Sequence, residues 1–296
     1  MIVNDFLEYI QSAKKVSGNT VAAYKQDIRA FGRFLNDNGI EDYKDATNTQ
    51  VVAYLMELKQ TGKSKATVNR KLASIRAFYR YLQNQGFVAQ NPTEGIKSPK
   101  ISRKEISYLS IAEVEHLLEM PDDSIKGLRD RAMLEVLYAT GIRVSEIIEL
   151  KVSDANLTMG FVKCNGNHGR ARIVPMGKPA RRALKAYLDK SRPELVKDQP
   201  EDGPDSPLFV NYMGEIFTRQ GFWKILKQYG KDAGLEDKLT PQTLRNSFAM
   251  HMVQNGIDMK SLQELMGHED ILATQVYFEH MRNRIKDVYD KTHPRA

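Results

Sequence analysis

Residues 240–277 read TPQTLRNSFAMHMVQNGIDMKSLQELMGHEDILATQVY. Thr240 followed by Pro241 is a cap with proline in the first turn, so a helix starts there. Leu244, Phe248 and Met252 supply its apolar stripe, and Asn255-Gly256 ends it. Asp258 caps a second helix that Gly267 closes, which leaves His268 at a helix C-terminus. Asp270 caps a third helix, and Tyr277 lies on it. One arginine, one histidine and one tyrosine thus fall on three consecutive short helices. Each has a plain use at a phosphodiester. Arg245 offers a planar fork of donors to non-bridging oxygens. His268 donates a hydrogen bond or moves a proton near neutral pH. Tyr277 can attack phosphorus and remain attached. A second arginine, Arg143, stands upstream in ATGIRVSEI.

Taken singly, these residues say little. An isolated arginine is as a rule a surface charge, a histidine after a helix can cap it, and a tyrosine in a mixed helix packs. Their order is more specific: ATGIRVSE, a hairpin ending in IVP, a TPxTLRxSFAxH helix, LMGH, and a tyrosine nine residues after that histidine.

The rest of the chain reads as mainly α. Helical patterns cover 4–14, 20–36, 49–62 and 64–85. In the last, Val68, Leu72, Ile75, Tyr79 and Leu82 recur at 4-3-4-3 spacing. At about 100° per residue, Arg70, Arg76 and Arg80 fall on the opposite face, expected to meet solvent and DNA. Asn91-Pro92 breaks the pattern, and the basic stretch after it reads as a linker on nucleic acid. Further helices are expected at 110–119, 125–140, 144–150, 178–190 and 219–233. Strands at 161–164 and 172–175 flank a Gly/Asn-rich turn, a β-hairpin. Residues 191–207 are polar and contain proline, hence a loop.

The 296 residues suit two domains. No apolar run approaches the roughly 20 residues of a membrane span, and the start lacks the pattern of a secretory signal. The single cysteine, Cys164, excludes an internal disulfide and fits a reducing cytoplasm. Charge is uneven. Residues 1–100 carry 15 Lys and Arg against 9 Asp and Glu, and the rest 29 against 28. The densest basic run, 61–104, has ten basic residues and one acidic, the footprint expected on a phosphate backbone. No cofactor is expected, and no Asp/Glu cluster suggests a two-metal site.

On these motifs the chain resembles the tyrosine recombinase (phage integrase) family, in its Xer-type, XerD-like branch. The likeness includes SKATVNRKLASIRAFYRYL (64–82) and the terminal THPRA. It implies a two-domain DNA clamp. Residues 1–97 would be a helical core-binding (SAM-like) domain and 98–105 a linker. Residues 106–296 would be an α-rich catalytic domain with a small antiparallel sheet, its tail, 281–296, packing on a neighbouring protomer. It also implies roles. Arg143 and Arg245 would clamp the scissile phosphate, and Tyr277 would form a 3′-phosphotyrosine. His268 would donate to the phosphate, and Glu146 would support the site from behind. The expected partners are a double-stranded DNA recombination site and a homo- or hetero-tetramer of recombinases, with a role in resolving chromosome or plasmid dimers. Two positions depart from the family pattern. Gln242 stands where HxxR has histidine, and Asn167 where the hairpin has a lysine that acts as general acid. His168, Lys163 or Arg170 are the candidates to replace it. The alternatives are a catalytically impaired DNA-binding paralogue, a mobile-element integrase and a type IB topoisomerase.

Overall fold

The computed structural model describes residues 2–13, 16, 18–99, 105–166, 171–199 and 202–293. The chain divides into two compact units, Met1–Lys104 and Glu105–Ala296.

The first unit is four helices: α1 (Ile2–Ala13), α2 (Gly18–Asp37), α3 (Asn48–Gln60) and α4 (Lys65–Asn84). Ser64 caps α4 by accepting from the Thr67 amide. The apolar stripe of α4 forms the unit's centre: Val68, Leu72, Ile75, Tyr79 and Leu82 are fully buried, among Phe6, Ile28 and Phe31. The opposite face differs from the expected arginine front. Arg70 pairs with Asp27 of α2, a carboxylate that is completely buried and also binds Lys71 Nζ (3.2 Å) and Ser74 Oγ (2.8 Å). Arg76 donates to the Ile96 carbonyl and to Ser98 Oγ (2.9 Å), and Asn69 Nδ2 donates to the Pro99 carbonyl (2.9 Å). Of the three arginines only Arg80 keeps an exposed side chain with no partner among the described residues. The stretch after Pro92 is therefore strapped to α4 as far as Pro99. Positions 100–104 of the expected linker lie outside the described residues.

The second unit holds α5 (Ile111–Glu119), α6 (Ile125–Thr140), α7 (Val144–Glu149), α8 (Lys178–Ala186), α9 (Arg192–Val196), α10 (Arg219–Asp232), α11 (Pro241–Gln254), α12 (Met259–Met266) and α13 (Leu272–Thr292). A three-stranded antiparallel sheet has the order β1 (Ala155–Asn156), β2 (Phe161–Asn165), β3 (Ala171–Pro175). Val162 pairs with Val174 and Cys164 with Arg172, so these four share the inward face. Helices α6 and α11 are buried almost all round, which explains why neither shows a clear one-sided pattern.

One detail corrects the sequence reading and another extends it. Residues 191–207 are not all loop. The helical run from Lys178 continues through a π-helical turn, Tyr187–Ser191, into α9, and Pro193 follows directly after that turn. Buried Arg192 then orders the segment after α9, with two bonds to Asp202 (2.6 and 2.7 Å) and others to the Pro207 and Leu208 carbonyls. The tyrosine helix, for which the sequence reading set no end, runs unbroken as α13 to Thr292.

Asp27→Ala leaves Lys71 with little water and no anion. Arg70 is half exposed and can turn outward, so the loss falls below that of a fully buried pair, roughly 2–3 kcal/mol. Urea unfolding of the full chain checks it: the transition of the first unit moves to lower denaturant with that of the second unchanged.

Candidate active site

The site is built on two helix C-termini and one carboxylate. Helix α6 ends at Gly141 (φ +60°) and α12 at Gly267 (φ +62°). Both are left-handed caps that favour glycine. A Cβ on Gly141 would lie 2.2 Å from the Phe248 ring, and one on Gly267 would lie 2.7 Å from the Arg172 guanidinium. The last carbonyls of a helix have no intrahelical partner and carry partial negative charge. Here arginines take them. Arg245 donates to the Gly141 carbonyl and to that of Met266 (2.7 Å). Arg143 donates to Gly267 (3.0 Å), and Arg172 Nε to Leu265 (2.9 Å).

Glu146 ties two of the three together. Its carboxylate accepts four bonds: the Arg143 amide (2.7 Å), Arg143 Nη1 (3.3 Å), and Arg172 Nη1 (2.6 Å) and Nη2 (3.1 Å). The first caps α7; the others fix both guanidiniums. Burial opposes ionisation of Glu146, but the bonds and charges of Arg172 and Arg143 outweigh it and hold the carboxyl below its ordinary range.

Arg245 is almost wholly buried, and its Nη2 also lies 3.0 Å from His268 Nε2. Burial, then the nearby Arg143 charge, lowers its pKa to about 10, so it stays charged at neutral pH. A guanidinium has only protons to give, so Nε2 of His268 must be the acceptor. Its Nδ1–H then donates to Thr274 Oγ1 (2.8 Å). Burial and the charges of Arg245, Arg143 and Arg172 depress the His268 pKa to about 4. The imidazole is neutral at neutral pH until an anion offsets the arginines.

Tyr277 is 4% exposed. Its hydroxyl donates to Asn246 Oδ1 (3.0 Å), which also accepts from Gln242 Nε2 (2.8 Å). Burial raises its pKa, with Arg245 opposing in part. Beside these residues a pocket opens, and among the described residues that line it are Arg143, Arg219, Gln242 and Arg245 and no Asp or Glu.

The structure therefore brings Arg143, Glu146, Arg245 and His268 into one cluster, with Gln242 and Tyr277 joined through Asn246. Lys163 is not part of it. It pairs with Ile173 on the exposed face of the sheet, opposite Arg172. Asn167, His168 and Arg170 lie outside the described residues. Sequence reading missed Arg172, Thr274 and Asn246. A signal existed for Arg172: it alternates with Val174 and pairs with Cys164, and an arginine on a buried face needs a carboxylate. Among the described residues no group of three or more His, Cys, Asp or Glu is placed to hold a metal, and no helix is long and apolar enough to cross a membrane.

His268 should titrate near pH 4 in the DNA-free protein. Its pKa should rise when a phosphodiester enters the pocket, because the anion offsets the arginine charges. Imidazole 15N shifts followed against pH, with and without duplex DNA, check this. A titration near 6.5 in the free protein would contradict the arrangement.

Residues 107–284 match the phage integrase family, and residues 3–86 match the phage integrase N-terminal SAM-like domain. The tyrosine recombinase XerD of Listeria monocytogenes serotype 4b is 41% identical over 100% of this chain and 99% of its own. That of Oceanobacillus iheyensis is 41% identical over 99% of this chain and 98% of its own. Among solved structures, the XerH site-specific recombinase bound to palindromic difH substrate, a post-cleavage complex, has a TM-score of 0.77 at 20% identity. That match covers 97% of this chain and 83% of the other. Sequence and fold together place the chain in the phage integrase family, among its XerD-like tyrosine recombinases.

Proposed function

We propose that the protein cuts and rejoins double-stranded DNA at a specific site through a 3′-phosphotyrosine on Tyr277. The observation that carries this is the convergence of Arg143 and Arg245, from two other segments, on the C-terminus of α12, where His268 follows the cap, with a buried tyrosine on the next helix. In this reading the scissile phosphate enters the pocket beside Arg143 and Arg245. The guanidiniums hold its non-bridging oxygens and stabilise the charge that builds on five-coordinate phosphorus. His268, made a donor by the arriving anion, adds a bond. The Tyr277 oxygen forms a bond to phosphorus as the P–O5′ bond breaks. The phenol loses its proton and the leaving oxygen gains one. One phosphodiester replaces another, so no nucleotide is consumed.

The proton for the 5′-oxygen is the step that the described side chains leave without a donor. Asn167 cannot act as an acid, and Lys163 is held on the far face of its strand. His168 has the chemistry for the task.

The biological setting comes from relatives named XerD. We place the protein in the cytoplasm, resolving chromosome or plasmid dimers in support of chromosome partition and cell division. It would act as a tetramer of like or mixed recombinases on paired DNA sites. Residues 1–97 would bind DNA, 98–105 link, and 106–296 catalyse, with the tail from 281 contacting a neighbouring protomer. The catalytically impaired alternative rests on Gln242 and Asn167, and the retained cluster of Arg143, Arg245 and His268 speaks for the active reading.

A nicked duplex whose binding arms are selected by the protein from random DNA tests the reading. A covalent protein–DNA adduct should form and should vanish with Tyr277→Phe. Absence of any adduct would overturn the proposal. The missing acid gives a second expectation. A 5′-bridging phosphorothiolate needs no proton on its leaving sulfur. It should form adduct roughly 10²-fold faster or more than the oxygen substrate if no hairpin group supplies one. Equal rates would identify an acid at work, and His168→Gln and Lys163→Gln would then say which.

A further inference from the structure

Two amides stand between the arginine cluster and the tyrosine, and their geometry carries more than packing. Gln242 and Asn246 lie one turn apart on α11, on the same face. Asn246 Oδ1 accepts from both Gln242 Nε2 (2.8 Å) and the Tyr277 hydroxyl (3.0 Å). Asn246 Nδ2 donates to the Ser107 carbonyl (3.0 Å). With two donors on its oxygen and an acceptor at its nitrogen, the amide has one satisfied orientation. The flipped form would set N–H against N–H and oxygen against oxygen.

Asn246 is the hydroxyl's one polar partner among the described residues, and at 4% exposure water has little access to replace it. Among the described residues neither Arg245 nor His268 hydrogen-bonds the hydroxyl. Arg245 directs three of its five N–H donors to Gly141, Met266 and His268, which leaves two for a phosphate, and His268 is engaged by Arg245 and Thr274. An attacking oxygen must come within about 3–3.5 Å of phosphorus, yet this one is bonded to a residue outside the phosphate cluster. A neutral amide oxygen also cannot take the phenolic proton, so Asn246 is no base.

We propose that Asn246 is a positioning residue that parks the Tyr277 hydroxyl, still protonated, off the arginine cluster in the DNA-free protein, and that Gln242 locks Asn246 in the orientation that does so. The two amides form a latch, and attack requires the hydroxyl to leave it. This rests on Tyr277 being the nucleophile. Burial strengthens the latch by making the phenol harder to ionise.

The test is single-turnover adduct formation on the nicked duplex at saturating DNA, with the exchange rate of the Tyr277 hydroxyl proton measured by NMR on the DNA-free chain. Asn246→Ala should speed adduct formation about three- to tenfold, the weight of one hydrogen bond, and should speed hydroxyl exchange. Gln242→Ala should do the same to a lesser degree. In the Asn246→Ala background, Gln242→Ala should add nothing, since its effect runs through Asn246. Asn246→Asp, which keeps an acceptor in place, should return adduct formation to the wild-type rate or below. If both single variants slow the reaction and their effects add, the amides are merely structural and the proposal fails. If Asn246→Ala slows the reaction with hydroxyl exchange unchanged, Asn246 aids attack and the proposal fails as well. A wild-type chain that forms no adduct would remove the assigned reaction. The exchange measurement would still decide whether the hydroxyl is latched.

Discussion

Three guanidinium groups gathered at the end of one helix repel one another, and much around the site answers that repulsion. One buried carboxylate, Glu146, offsets part of it with four accepted bonds. The rest is carried by main chain: the carbonyls of Leu265, Met266 and Gly267 at the end of α12, and of Gly141 at the end of α6. Carbonyl dipoles stabilise cations without neutralising them. The cluster keeps net positive charge and is already arranged, so an arriving phosphate meets charge that needs no reorganisation. Burial first, and then the same surplus, lowers the pKa of both His268 and Arg245.

This arrangement makes the helix ends matter more than the helices. Gly141 and Gly267 each turn the chain through a left-handed residue and present a carbonyl to an arginine. Their surroundings are tight. Phe248 lies against Gly141 and Arg172 against Gly267, so neither end can take a side chain without moving a piece of the cluster. The apolar core beneath, centred on α6 and α11, fixes where these ends lie. Packing and charge are therefore coupled at two backbone positions.

Much of this was legible in the sequence, and the omissions share a cause. Helix periodicity, caps and terminal glycines are local, and they placed Arg143, Arg245, His268 and Tyr277 on the right elements. What escaped depends on partners far along the chain. Arg70 looked free because Asp27, its counter-charge, is on another helix 43 residues away. Arg172 looked like a strand residue because Glu146 lies 26 residues upstream. Helix α9 was hidden because it continues the preceding helix through a π turn, and Arg192 ties it to Asp202 and two carbonyls farther along the chain. Asn246 carries no local signal, because its role lies in an oxygen shared between Gln242 and Tyr277, 31 residues away. Local pattern reveals elements; it does not reveal which charges meet.

The unbroken course of α13 has a mechanical consequence. Tyr277 belongs to the same rod as Ile285 and Tyr289, two apolar side chains that stand more than half or about half exposed beyond it. At 1.5 Å per residue, Ile285 lies only about 12 Å along the axis from Tyr277. A helix resists bending and twisting far better than a loop, so the two ends share their motion. Torque applied at the exposed end reaches the tyrosine ring with no joint between to absorb it.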